Sequence, residues 1–346
     1  MPFLRFFTKA ILSADVLALL IVLSVPPRVI AQAPANPPAA VPARPGYSAD
    51  APPPESQIPY IVLSNYDKAI FQKPIPSGLL APLSRFAGVP SNDVIRDKQF
   101  RKIMQSFVPD CVFHYGRDMP LDDALDLVLK GSTIPAQLRD GRYLTVSGAQ
   151  APYLGGRGFL WLDLQEGIGG GAFYFHPGNG EPTPSVVIFS RQVKEKTLAM
   201  SQLPPAFIED EYQWTEDVHI RPITTRYFIT GSNRRILLEH DEDYCAPPAS
   251  SDAAPDCEQM NLDSGDIDMN AALYLDATNY ATNATAWMIN NPAQIAWVEV
   301  RDTTCAAAPD RASCHIRMTR ERTHVILHQA PHQAPHQAPP PRGGRR

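Results

Sequence analysis

Residues 142–192 read RYLTVSGAQAPYLGGRGFLWLDLQEGIGGGAFYFHPGNGEPTPSVVIFSRQ, and the reading of this stretch decides the fold. Arg142–Ser147, Phe159–Leu164, Ala172–His176 and Ser185–Gln192 are short aliphatic and aromatic runs separated by glycine- or proline-rich breaks. Such runs predict β-strands, because they are too short for helices and are bounded by residues that favour turns. Asn179–Gly180 marks a turn between two of them. The pattern predicts an antiparallel meander. Gly167–Ile168–Gly169–Gly170–Gly171 falls between two expected strands, so it predicts a hairpin bend. A phosphate cradle would require a helix to follow.

Helices are expected on either side of the meander. One covers Asp97–Phe107. Another is capped by Asp118 and runs to Lys130, with Leu121, Leu125, Val128 and Leu129 on one side, Asp122 and Asp123 in the first turn, and Gly131 as its stop. A helix near Pro205–Glu216 and strands at Thr224–Ile229 and Arg234–Glu239 complete this part. A Pro/Ala/Ser break at 246–255 separates it from a second part that reads as helical. Ile267–Asn290 contains neither Pro nor Gly, Pro292 suits the first turn of a new helix, and Arg311–Leu327 is a third helical stretch. The expected class is α+β: an antiparallel-sheet domain with helices over 58–245, then a small all-α bundle over 256–328.

The flanks have a different composition. Residues 1–31 read as an export signal, with Arg5 and Lys9 ahead of an apolar stretch, Ala10–Leu23, and a small-x-small site at Val29–Ile30–Ala31. The apolar stretch is short for a membrane span. Residues 32–57 are rich in Ala and Pro and read as an extended spacer. Residues 329–346 read as a disordered tail, continuing a His-Gln-Ala-Pro repeat that begins at His328. The prolines Pro331, Pro335 and Pro339 forbid the helix on which His328, His332 and His336 would form a metal-binding face. Export places the chain in a periplasmic or extracellular, oxidising compartment, where cysteines tend to be bridged. The net charge of −5 and the lack of a dense Lys/Arg run in the folded part argue against nucleic acid as a partner. Asp256–Asp276 holds six acids and no Lys or Arg, which favours a cationic protein partner.

Three elements near the C-terminus form a pattern: Trp297 with Arg301–Asp302 and Cys305; Ser313–Cys314; and Met318–Thr319–Arg320–Glu321–Arg322–Thr323. In that order they resemble the C-terminal half of the LprI-type lysozyme inhibitor family, over about 75 of the 346 residues. Cys257 and Met269–Asn270–Ala271 resemble elements of that family's first half, with Ala272 where a second cysteine would stand. The resemblance implies a protein that binds and inhibits lysozyme, without cofactor or metal and without catalytic residues. Its motif residues here are Trp297, Arg301, Asp302, Cys305, Cys314, Thr319 and Arg322.

The same residues have a direct physical reading. Trp297 is an apolar knob for a helical core. Arg301 suits a bidentate bond to a carboxylate, and Asp302 suits an arginine such as Arg320 or Arg322 on the neighbouring helix. Cys305 and Cys314 flank a helix–loop–helix corner and are expected to be bridged. Of the remaining three cysteines, Cys111–Cys245 is the expected pair and Cys245–Cys257 the competing one; one thiol stays free.

Two other clusters carry chemistry. His240–Asp241–Glu242–Asp243 offers metal-type ligands, but adjacent residues on a strand alternate sides, so it reads as an acidic exit from the last strand. His114, Asp118 and His176 could form an acid–base site for a hydrolase, with no Gly-x-Ser-x-Gly or His-Glu-x-x-His element to accompany them. A third function class is an envelope adaptor that uses a sheet edge.

Overall fold

The computed structural model describes residues 64–149, 156–175, 183–246, 256–278 and 283–328. The expected signal peptide, spacer and tail lie outside those residues, as does His176. Two short helical turns, α1 (Ser77–Leu80) and α2 (Ser91–Val94), precede α3 (Lys98–Phe107). The Asp97 carboxylate caps α3 by accepting from the backbone N–H of Gln99 and Phe100, both at 2.9 Å. Next come a hairpin, β1 (Val112–Tyr115) and β2 (Arg117–Pro120), and α4 (Leu121–Lys130). Asp118 is not the cap of α4. It sits in β2 opposite His114, and Pro120, already at φ −60°, leads directly into the helix.

The meander region forms β3 (Gln137–Arg139), β4 (Tyr143–Gly148), β5 (Arg157–Asp163), β6 (Ile168–Phe175) and β7 (Ser185–Ser190). Helix α5 (Pro205–Asp217) then crosses over to β8 (Thr225–Thr230), followed by β9 (Arg235–Leu238). The strands make one seven-stranded sheet in the order β3-β4-β5-β6-β7-β8-β9. All neighbours pair antiparallel except β7 and β8, which are parallel. The meander is therefore interrupted once. A helix between two neighbouring strands returns the chain to the starting edge, so the next strand runs parallel. The glycine run is not a bend either. Only Gly167, at φ +72°, makes the turn, whereas Gly169 lies within β6, where a Cβ would stand 2.6 Å from the Phe107 ring of α3.

Both faces of the sheet are covered, which is why its central strands are apolar at nearly every position. Side chains alternate between two cores. Leu160, Leu162, Val187, Phe189, Tyr227 and Leu237 face one, packed with α3 and α4. Phe159, Trp161, Val186, Ile188, Phe228 and Ile236 face the other, under α5. Each fully buried Phe or Leu contributes roughly 1.5–3 kcal/mol. Helix α5 is fixed by Asp210, which accepts from Trp161 Nε1 at 2.8 Å and from Arg139 Nε at 2.9 Å.

The remaining helices are α6 (Cys257–Thr278), α7 (Ala284–Ile289), α8 (Pro292–Ala306) and α9 (Arg311–His328). The expected single helix over 267–290 is two. Helix α6 starts at Cys257 and ends by Thr278, and α7 begins afresh where the Asn283 side chain accepts from Ala286 N–H at 2.9 Å. Asn and Thr compete for backbone hydrogen bonds in this way, and residues 278–283 are rich in both. The helical region shares its core with the sheet: Met269, Ala272, Leu273 and Ile326 belong to the cluster that contains Tyr227 and Leu237.

The cysteines are bridged as Cys305–Cys314 and Cys245–Cys257. The expected Cys111–Cys245 pair does not form. Cys111 lies against the first core and Cys257 against the second, while Tyr244 N–H donates to Asn261 Oδ1 on α6 at 3.0 Å and holds Cys245 beside Cys257, with Cα atoms 5.0 Å apart. Cys111 is free, and burial pushes its thiol up to about 11 from 9.0. At pH 8 it holds roughly a hundredfold less thiolate than an ordinary cysteine. Iodoacetamide is expected to label Cys111 in the folded, unreduced protein at least tenfold more slowly than after urea denaturation. Equal rates, followed by mass spectrometry, would contradict this burial.

Candidate functional site

Helices α6, α8 and α9 meet around Arg301. Its side chain is mostly buried, with Nη1 donating to Asp266 Oδ1 at 2.9 Å and Thr319 Oγ1 at 3.1 Å, and Nε donating to Asp302 Oδ1 at 3.0 Å. One guanidinium thus joins all three helices, a use for which its planar array of donors is suited. Asp302 takes its hydrogen bond from the adjacent Arg301, not from Arg320 or Arg322. Arg322 instead donates to Gln294 Oε1 at 3.3 Å, and Arg320 donates to the main-chain carbonyls of His240 and Glu242, each at 3.2 Å.

Trp297 packs against the first core, as expected of an apolar knob, but stays half-buried. Its ring has the Arg301 guanidinium at 5.4 Å and that of Arg322 at 5.7 Å. Both distances suit a cation–π contact. Thr319 is buried between Arg301 and the α9 backbone, where its carbonyl accepts from Thr323 Oγ1 at 3.0 Å. The Cys305–Cys314 bridge closes the corner between α8 and α9.

The outer face of α6 is acidic. Asp256, just before it, and Asp263 and Asp266 along it are exposed and spaced by helical turns. The stripe continues through Arg301 to exposed Asp302 on α8. In the sequence, Asp266 and Asp268 differ in nothing but position within the acidic run. Asp268 faces the opposite way and is 3% exposed. It accepts from His240 N–H at 2.6 Å and bonds His240 Nδ1 at 2.8 Å, so it pins the end of the sheet to α6. The signal was available in its neighbours: Ser264, Ala271 and Ala272 are small residues on the same buried side of the helix.

The 240–243 segment does not converge on a point. His240 turns to Asp268, and Glu242 turns to Arg226 on β8, with Oε1 2.5 Å from Nη1. Burial would raise the Glu242 carboxyl, but the Arg226 guanidinium, His240 and a main-chain hydrogen bond together hold Glu242 below the ordinary glutamate value. Glu211 on α5 joins this buried pair. Burial pushes its carboxyl up to about 7, with Glu242 adding to the rise and Arg226 opposing it. Among the described residues, no three His, Cys, Asp or Glu side chains are grouped to hold a metal ion. His114 stands opposite Asp118 across the β1–β2 hairpin.

A cleft of about 1130 Å³ runs beside β9, the last strand of the sheet. Arg234–Leu237 and Glu239 form its floor; α6 and α9 supply Leu275, Asp276, His324 and His328 to one wall, and Lys196–Leu198 form the other. Burial raises the Glu239 carboxyl, and Asp268 and Asp241 add to that.

Compared with known proteins, the chain matches no family model, no curated protein and no solved structure.

Proposed function

We propose that the chain is an exported, non-enzymatic binding protein that engages a basic, lysozyme-like enzyme through the acidic face of α6 and the adjoining end of α8. The observation that carries this reading is the exposed stripe of Asp256, Asp263, Asp266 and Asp302, held on a rigid base by buried Arg301. Its sign suits a cationic enzyme surface, and its rigidity lowers the ordering cost of association. The resemblance of the Trp297, Arg301–Asp302 and Cys305–Cys314 pattern to LprI-type inhibitors supports the choice of partner. Two disulfides support an oxidising compartment. No helix among the described residues is long and apolar enough to cross a membrane.

The test is a cell-wall lysis assay with the full chain and a basic lysozyme. Lysis is expected to slow in a dose-dependent way, and the inhibition to weaken as salt rises from 50 to 300 mM. The D256K/D263K variant, which leaves the Arg301 contacts alone, is expected to weaken inhibition at least tenfold. Unchanged lysis at high micromolar protein overturns the proposal.

A further inference from the structure

We propose that His324 and His328, on the last two turns of α9, form a binding site for a Cu²⁺ ion in the cleft beside β9. Four-residue histidine spacing at His328, His332 and His336 is denied a helix by the prolines between them. The same spacing begins one step earlier, at His324, and that step lies within α9.

Residues four apart stand one above the other on a helix, so their side chains can close on a single ion. The two imidazole rings already lie together, with centroids 4.1 Å apart and planes at 61°. Metal–nitrogen bonds of roughly 2.0 Å place two adjacent ligands about 3 Å apart, which a small turn of each ring reaches. Both histidines are exposed, and neither ring hydrogen-bonds a described residue. Binding therefore breaks no hydrogen bond among the described residues.

The surroundings favour a cation. His324 and His328 line the cleft together with Glu239 and Asp276. Glu239 is half-buried, and His324 is among the groups whose charge acts on its carboxyl. The arginines of the cleft belong to the other end of the strand: Arg234 and Arg235 stand at the opening of β9, whereas Glu239 follows its last residue. Arg235 is also turned onto the Tyr227 ring, 4.3 Å from its centroid. Lys196 lies on the opposite wall.

Among the described residues, no third His, Cys, Asp or Glu is grouped with the pair. Water then completes the coordination, and Glu239 and Asp276 act through charge. An open set of nitrogen and oxygen ligands suits Cu²⁺, which accepts tetragonal geometry and stands at the top of the divalent affinity order. The bound ion would tie two successive turns of α9 together and hold the end of the helix against the cleft.

The test is titration with Cu²⁺ followed by electron paramagnetic resonance, on the full chain carrying H332A and H336A, so that the tail histidines cannot contribute. The tightest site is expected to hold one ion per chain, with a signal split by two nitrogen donors. Adding His324→Ala or His328→Ala is expected to weaken binding at least tenfold and to leave one nitrogen; adding both is expected to abolish the site. Both side chains are exposed, so the variants are expected to keep the parental circular dichroism spectrum. Binding that survives the double variant overturns the proposal, as does the lack of a two-nitrogen signal when His332 and His336 are absent. One ion per two chains also overturns it, because the second ligand then comes from another molecule.

Discussion

Arg226→Met is expected to lower the unfolding free energy by about 3–5 kcal/mol at pH 8, measured by urea denaturation. Arg226 is 7% exposed and is the cation between two buried carboxylates, Glu242 at 4% and Glu211 at 5%. Its Nη1 lies 2.5 Å from Glu242 Oε1. Methionine keeps most of the apolar stem, so the loss reports charge and not a cavity. Without the guanidinium, the strongest attraction that holds Glu242 low disappears, leaving His240 and a main-chain hydrogen bond against burial, and the opposition to the rise of Glu211 goes with it. Both carboxyls then bind protons more tightly folded than unfolded. The variant therefore gains stability as pH falls, and its deficit is expected to shrink by at least half at pH 5. The companion variant R226M/E211Q/E242Q removes the charges together and is expected to recover most of the loss. A deficit below about 1 kcal/mol at pH 8 would show that the pair does not rely on Arg226.

The fold was legible where a local rule and the tertiary demand agree. Asp97 caps α3, Pro292 opens α8, and the apolar runs at 143–148, 157–163 and 185–190 are strands, because strands buried on both faces need apolar side chains at nearly every position. The parallel step from β7 to β8 was not legible, since strand direction depends on where a crossover helix lands and not on the strand residues. Asp118 shows the limit of cap rules: its side chain suits a helix start, yet the tight Tyr115–Gly116–Arg117 turn draws it into a hairpin. At the candidate site, the sequence marked Arg301 as a tether but not its partners. Asp266 and Thr319 lie 35 and 18 residues away from it in the chain. The Cys245–Cys257 bridge was one of two open alternatives, and the choice turned on which face of the sheet each cysteine packs against. The β9 cleft had no sequence signal, because an open edge is defined by the strand that is not beside it.

Glu211→Gln is expected to make the protein more stable than its parent above pH 7, by up to about 3 kcal/mol, while leaving it close to parental stability near pH 4.5. The folded carboxyl stands at about 7 against 4.5 for the free group, with burial as the main cause and Glu242 as the second upward influence. Between those values the native state holds a proton that the unfolded chain has released. Parental stability is therefore full below about 4.5 and falls as pH rises through 7, the reverse of the usual salt-bridged carboxylate. Glutamine cannot ionise, so this contribution to the pH dependence vanishes in the variant and Arg226 no longer faces a second carboxylate in Glu211. Taking the difference between the two proteins at each pH cancels the other titrating groups. Urea midpoints from pH 4.5 to 8.5 would show the gap opening across that window; a constant gap would mean that Glu211 is already ionised when folded. The consequence reaches the candidate site, because the segment that carries Glu242 also carries His240, whose bonds to Asp268 hold α6. Mild acid is thus expected to firm the joint on which the acidic helix face is mounted.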